Sequence, residues 1–170
     1  MKQIILVLIL LPFVIYSNDA VAFGYKDLFL KNRRAKFPVG VNLIAIGPAG
    51  LAGLSVDWFI KPKFNLEFGA GLNDFKTYQP SYFAGGKYHI FGNTISNTTF
   101  YFGVFDKVTI DSSVVNNMLY VPIGLQRIKK NKLTWNIEVA YTFDINTARS
   151  KVFGAFKLGY RFNRFDKKKK

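Results

Sequence analysis

From residue 39 onward the chain alternates between apolar and small or polar positions. The last such run, VFGAFKLGYRF at 152–162, puts Val152, Gly154, Phe156, Leu158, Tyr160 and Phe162 on one side of an extended strand. Phe153, Ala155, Lys157, Gly159 and Arg161 fall on the other. Runs at 39–46, 53–60, 64–72, 81–91, 98–108, 118–128 and 133–143 keep the same rhythm, which makes eight in all. Their lengths are close to the about 9 to 11 residues with which a tilted strand crosses a bilayer. The connections at 61–63, 92–97 and 129–132 read as tight, and those at 73–80, 109–117 and 144–151 as longer; 47–52 is short on the longer side. The pattern predicts an all-β, eight-stranded antiparallel up-and-down barrel. Periodicity alone fits both a soluble lipocalin-like carrier of an apolar ligand and a transmembrane barrel.

The second faces of the strands separate these readings. In 64–72, Asn65, Glu67, Gly69 and Gly71 oppose Phe64, Leu66, Phe68, Ala70 and Leu72. In 133–143, Thr134, Asn136, Glu138, Ala140 and Thr142 oppose Leu133, Trp135, Ile137, Val139, Tyr141 and Phe143. A face turned to water carries dense Lys and Glu, whereas the narrow inside of an eight-stranded barrel is filled by side chains of limited volume. These faces read as interiors, so the apolar faces point to lipid. Asp57, Glu67 and Glu138 then share the lumen with Lys87, Lys157, Arg161 and His89. Charges are costly on a lipid face, which predicts an internal ion-pair network with His89 as a hydrogen-bonded lumen residue. The aromatics Trp58, Phe64, Trp135, Tyr160 and Phe162 lie toward the tight-turn end, and Tyr82, Tyr141 and Phe143 toward the other, as two interfacial girdles require.

Before the barrel, Lys2, the apolar stretch from Ile4 to Ile15 and Ala20-Val21-Ala22 have the order of an export signal, so residues 1–22 are expected to be removed. Residues 23–38 form a basic lead-in, with Tyr25, Leu28 and Phe29 at helical spacing among cations. It reads equally as a short amphipathic helix on a membrane surface or as a loose entry to the first strand. The barrel is expected at 39–162 and a basic tail at 163–170.

Cysteine is absent and histidine occurs once, which excludes disulfide scaffolds and thiolate or His-rich metal cages; no cofactor is expected. The net charge of +14 is uneven. The end holding the tight turns and both termini carries Lys26, Lys31, Arg33, Arg34, Lys36, Lys61, Lys63, Arg127, Lys129, Lys130, Lys132, Arg164 and Lys167 to Lys170, against Asp27 and Asp166. The longer loops and the lumen each balance. Such a rim suits anionic headgroups or the cell wall; nucleic acid is excluded by export and by lipid-directed aromatics.

Signal, strand number, turn asymmetry, inward charges and the aromatic-ended GYRF together resemble the small eight-stranded outer-membrane barrels of Gram-negative bacteria. These are the OmpA/OmpX-like class and the outer membrane protein beta-barrel families, and the likeness spans residues 39–162. It implies a Sec-exported, non-enzymatic, porin-like envelope protein whose partner is the outer-membrane bilayer. Its final strand ends on Phe162, although residues 163–170 follow. Some barrels of this size modify lipid A. Their acyltransferase type needs a histidine with hydroxyl and carboxylate partners at the outer-leaflet end, and their deacylase type a serine two places after the histidine. Here His89 stands near the opposite end and Phe91 holds the second position, which argues against catalysis.

Overall fold

The computed structural model describes residues 32–90, 97–111 and 114–163. The expected signal peptide, the lead-in before Asn32 and the tail after Asn163 lie outside these residues. A four-residue helix, α1 (Arg33–Lys36), precedes eight strands: β1 (Val39–Gly47), β2 (Gly50–Lys61), β3 (Phe64–Asp74), β4 (Gln79–His89), β5 (Thr98–Asp111), β6 (Val114–Ile128), β7 (Leu133–Asp144) and β8 (Ser150–Phe162). Each strand pairs antiparallel with the next. β1 closes on β8 from Val39↔Phe162 to Ala45↔Phe156, so the sheet is a closed barrel. No described helix is long and apolar enough to cross a membrane, which says nothing of strands.

Alternation decides which way each residue points. Asn65 and Glu67 on β3, Lys87 and His89 on β4, Thr134, Asn136 and Glu138 on β7, and Lys157 and Arg161 on β8 are all buried. Their neighbours Leu66, Phe68, Ile137, Val139, Phe156 and Leu158 are exposed on the outer wall. Side-chain size is matched across the bore. Gly69 faces inward, and a Cβ there would sit 2.7 Å from the Phe83 ring, so the glycine leaves room for that ring inside the barrel.

The contrast of tight turns and longer loops does not survive. Strands expected to stop at 72, 108 and 143 run on to Asp74, Asp111 and Asp144, because residues that look like loop still pair: Thr109↔Asn116, Ile110↔Val115 and Asp111↔Val114. Two hairpins share one turn chemistry. In Asp74-Phe75-Lys76-Thr77 the carboxylate accepts from the Lys76 N–H (2.8 Å) and the Thr77 hydroxyl (3.0 Å). In Asp144-Ile145-Asn146-Thr147 it accepts from the backbone N–H groups of Asn146 (2.8 Å) and Thr147 (3.1 Å). Tyr78 and Ala148 follow with φ of 49° and 54°, the left-handed step that turns the chain back. The strand expected at 81–91 is shifted toward the N-terminus, spanning Gln79–His89.

The β1–β2 turn depends on Gly50, whose φ is 97°. A Cβ there would lie 2.5 Å from both Asn73 Cα and Leu72 O, so both conformation and space exclude a side chain. Gly50→Val is expected to destabilise the folded barrel by about 1 to 3 kcal/mol. Denaturant unfolding in lipid vesicles checks this: an unchanged midpoint would contradict the assignment of strain to this turn.

Candidate functional site

The interior is layered along the barrel axis. At the end where the described chain starts and stops, α1 and the residues after it lie across the mouth. Asn32 caps the helix by accepting from the Arg34 N–H at 3.0 Å, and the Arg33 guanidinium donates to Ile128 O at 2.6 Å. Phe37 packs with Phe59 and Ile128 as an apolar seal. Beneath the seal Arg161 joins strap to wall. Its Nε donates to Phe37 O (2.7 Å), one terminal nitrogen to Pro38 O (2.8 Å) and the other to Asp57 Oδ2 (2.8 Å). Asp57 also accepts from the side-chain amides of Asn42 (3.0 Å) and Asn65 (2.6 Å), which leaves it fully engaged. The guanidinium lies 4.6 Å from the Phe59 ring centre.

The segment at 32–38 therefore covers the barrel mouth; Tyr25, Leu28 and Phe29, on which the expected surface helix rested, lie outside the described residues. The reason for this cover is chemical: the buried Arg161 guanidinium needs acceptors beyond Asp57, and the Phe37 and Pro38 carbonyls supply them. Arg34 accordingly leaves the solvent-facing rim to which composition assigned it, and Arg33 is half-buried where it donates to Ile128 O. Arg34 is 1% exposed, and burial, reinforced by the neighbouring Arg161 charge, lowers its pKa to about 10, so it remains a cation at neutral pH.

The middle layer holds the ion pairs. Glu67 bridges to Lys87 and to Lys157, whose Nζ lies 3.1 Å from both carboxylate oxygens, and it accepts from the Ser55 hydroxyl at 2.7 Å. Lys157 reaches on to Glu138 at 3.4 Å. The Glu138 carboxylate accepts hydrogen bonds of 2.5 Å from both Tyr101 and Tyr120. One connected set of charges thus crosses the bore from β3 and β4 to β7 and β8. Lys87 and Lys157 also lie over aromatic rings, Lys87 at 4.9 Å from the Tyr101 centre and Lys157 at 5.6 Å from that of Phe105. Above this comes a layer of Ile44, Ala49, Phe83, Phe105, Tyr120 and Ala140 with Phe153 against it, its rings meeting edge-on or tilted at 5.6 to 6.0 Å. At the far mouth Lys107 donates to Asn73 Oδ1 at 3.1 Å and Ser81 to Pro48 O at 3.3 Å.

Of the lumen residues expected to form one network, Glu67, Lys87, Lys157 and Glu138 form one set of ion pairs and Asp57 with Arg161 another, and the two are joined by hydrogen bonds from Asn42 to Asp57 and Ser55 and from Ser55 to Glu67. His89 belongs to neither. It is fully buried between Phe59 (5.0 Å) and Tyr101 (5.4 Å), and neither ring nitrogen has a hydrogen-bond partner among the described residues, contrary to the hydrogen-bonded role expected of it. Among the described residues Arg34 and Lys107 are buried as well, two cations that composition had placed outside the lumen. Tyr101, Tyr120 and Lys107 escaped the sequence reading. The parity of β5 contains the signal: Thr99, Tyr101, Phe105 and Lys107 share one face.

On the outer wall Trp58, Tyr82, Tyr141, Phe143, Tyr160 and Phe162 are exposed, while Phe64 and Trp135 are half-buried among neighbours. Tyr88, Phe100 and Phe102 add to the aromatics at the strap end, where Tyr88 meets Phe102 at 5.5 Å and Tyr160 meets Phe162 at 5.4 Å. Sorting to two ends is incomplete, because Phe68 and Phe156 are exposed at mid-height.

No protein-family model and no curated protein matches the chain. A solved structure does: the crystal structure of the N-terminal beta-barrel domain of Pseudomonas aeruginosa OprF is similar with a TM-score of 0.60 and 15% sequence identity, over 75% of this chain and 98% of that one. The likeness is one of fold.

The layered interior makes two expectations specific. Glu67→Leu removes the ion-pair partner of buried Lys87 and leaves Lys157 with Glu138 alone, and is expected to cost about 3 to 5 kcal/mol. Adding Lys87→Met should recover part of that loss, a coupling that a double-mutant cycle of unfolding free energies measures; simple additivity would contradict a connected network. Arg161→Ala removes the bonds that hold 32–38 in place, so trypsin should cleave at Arg33 to Lys36 severalfold faster in the folded variant. Equal cleavage rates would show that the strap is held by other contacts.

Proposed function

We propose that the chain is an integral outer-membrane barrel without enzymatic activity, reaching its site through Sec export and serving a structural or surface-interaction role. One observation carries this reading: the barrel is inside-out. Leu43, Leu54, Phe68, Ile123 and Val139, on five strands, are each more than half exposed on the outer wall, while Glu67, Lys87, Glu138 and Lys157 are buried within. A band of bulky apolar side chains on this scale is suited to hydrocarbon and not to water. A soluble carrier of an apolar ligand needs the reverse arrangement, with charges outside and an apolar cavity within.

The lumen supports a closed role. Cross-bore bonds from Glu67 to Lys157 and from Tyr101 and Tyr120 to Glu138 occupy the middle, a ring cluster fills the next layer, and the strap covers one mouth. His89, the residue on which a lipid-modifying mechanism would draw, is sealed between aromatic rings at the strap end, away from any lipid substrate on the wall. The surface left for contacts with other molecules is the hairpin end, where Phe75, Tyr78, Val114, Val115 and Ile145 are exposed.

The test is the electrophoretic mobility of the protein from washed outer membranes, run in SDS with and without boiling. A lipid-embedded barrel resists SDS until heated, so a mobility change on boiling in the membrane fraction is expected. Recovery in the soluble periplasmic fraction with no such change would overturn the reading.

A further inference from the structure

The strap-end rim places cations directly against the aromatic rings of the outer wall. Arg127, exposed on the outward face of β6, is the register partner of Trp135. Lys132 Nζ lies 5.9 Å from the centre of the Tyr160 ring, and Lys61 is the register partner of Phe64. Lys129 and Lys130 are exposed in the turn between β6 and β7. No carboxylate stands on this rim among the described residues: Asp57, the acid at this level, is 1% exposed and held inside by Arg161. The opposite rim is mixed, with Asp74, Asp106, Asp111 and Asp144 interspersed with Lys76, Arg149 and Lys151.

Tryptophan and tyrosine on a barrel wall mark the depth of lipid headgroups, and a cation set beside them on the wall reaches the depth of the phosphates. We infer that the strap-end rim is a headgroup-binding belt that selects phospholipids of net negative charge in the leaflet it adjoins. The inference rests on the membrane reading above and adds to it a ligand class and a sidedness. A cell-wall partner would be met by cations projecting along the axis, clear of the bilayer; Arg127 stands instead on the outward face in register with Trp135, and Lys132 lies as near the outward Tyr160 ring as it does to Phe37 of the strap. Phosphate is the chemistry that guanidinium and ammonium groups in this position recognise, by charge-assisted hydrogen bonds that zwitterionic headgroups offset with their own cation.

The chain reports on this belt itself. Both of its tryptophans, Trp58 and Trp135, lie on the outer wall at this end, so intrinsic fluorescence senses the lipids that surround the rim. The purified chain is reconstituted in phosphatidylcholine vesicles containing a minority of phosphatidylglycerol, with brominated acyl chains on one lipid or the other. Brominated phosphatidylglycerol is expected to quench severalfold more than its share of the mixture. That excess should fall as salt is raised and in an Arg127→Gln, Lys129→Gln, Lys132→Gln variant. If the variant does not fold, the salt dependence of the unaltered chain decides.

Quenching by each lipid in proportion to its share, with no salt dependence, would overturn the belt and leave the membrane barrel standing. Proportional quenching together with salt-sensitive binding of the vesicles to purified cell wall would overturn it in favour of that partner. Absence of quenching by either lipid would overturn the belt and the membrane reading together.

Discussion

A sheet of eight strands has two edges, and each edge presents a row of N–H and C=O groups that hydrocarbon cannot satisfy. Pairing of β1 with β8 removes both edges, and the remaining features of the molecule follow from that closure. Once the sheet is closed, period-two alternation admits no compromise: every residue faces either the bore or the outside. A narrow bore limits side-chain volume, so glycine stands where a neighbouring ring enters, as at Gly69 against Phe83. Charges barred from the outer wall must be accommodated together inside, and there they become stable only as partners of one another.

The interior is therefore better described by layers than by a list of charges. Glu67, Lys87, Lys157 and Glu138 share ion-pair partners across the middle, with Tyr101 and Tyr120 completing the Glu138 carboxylate. Asp57 and Arg161 act one level toward the strap, and Arg161 has a second task, since it binds two carbonyls of the chain that enters β1. A residue at the end of the last strand thus fixes the segment before the first. This ties the covering of the mouth to closure of the barrel, because β1 and β8 come together only when both partners are in place.

Much of this was legible in the alternation of particular runs. In 64–72 and 133–143 one face is apolar and the other small or polar, and these strands declared both their direction and their buried acids. The run 98–108 did not: Phe100 and Phe102 face out while Tyr101 and Phe105 face in, so hydropathy is the same on both sides. Lys107 looked like a loop cation beside Asp106, yet it is buried and Asp106 is exposed, a distinction made by parity and not by charge. Polar residues at 109–117 and 144–151 suggested long loops, because polarity marks the limit of the apolar band, not the end of backbone pairing. Arg34 could not have been placed from sequence. Its burial depends on Phe37 and Pro38 being drawn to Arg161, a contact at one end of the barrel between residues far apart in sequence.

In the proposed membrane barrel the apolar faces look outward to lipid and the charged faces inward. Because the chain has no cysteine, single cysteines at 136, 137, 139 and 140 on β7 can each carry a spin label in the vesicle-bound protein. Collision rates with oxygen, which partitions into lipid, and with a water-soluble nickel chelate then report each label's surroundings. The account predicts high oxygen and low nickel accessibility at 137 and 139, with low values for both at 136 and 140 where the interior is packed. Nickel accessibility at 137 and 139 equal to that of an exposed turn would show that these faces meet water, and would contradict it.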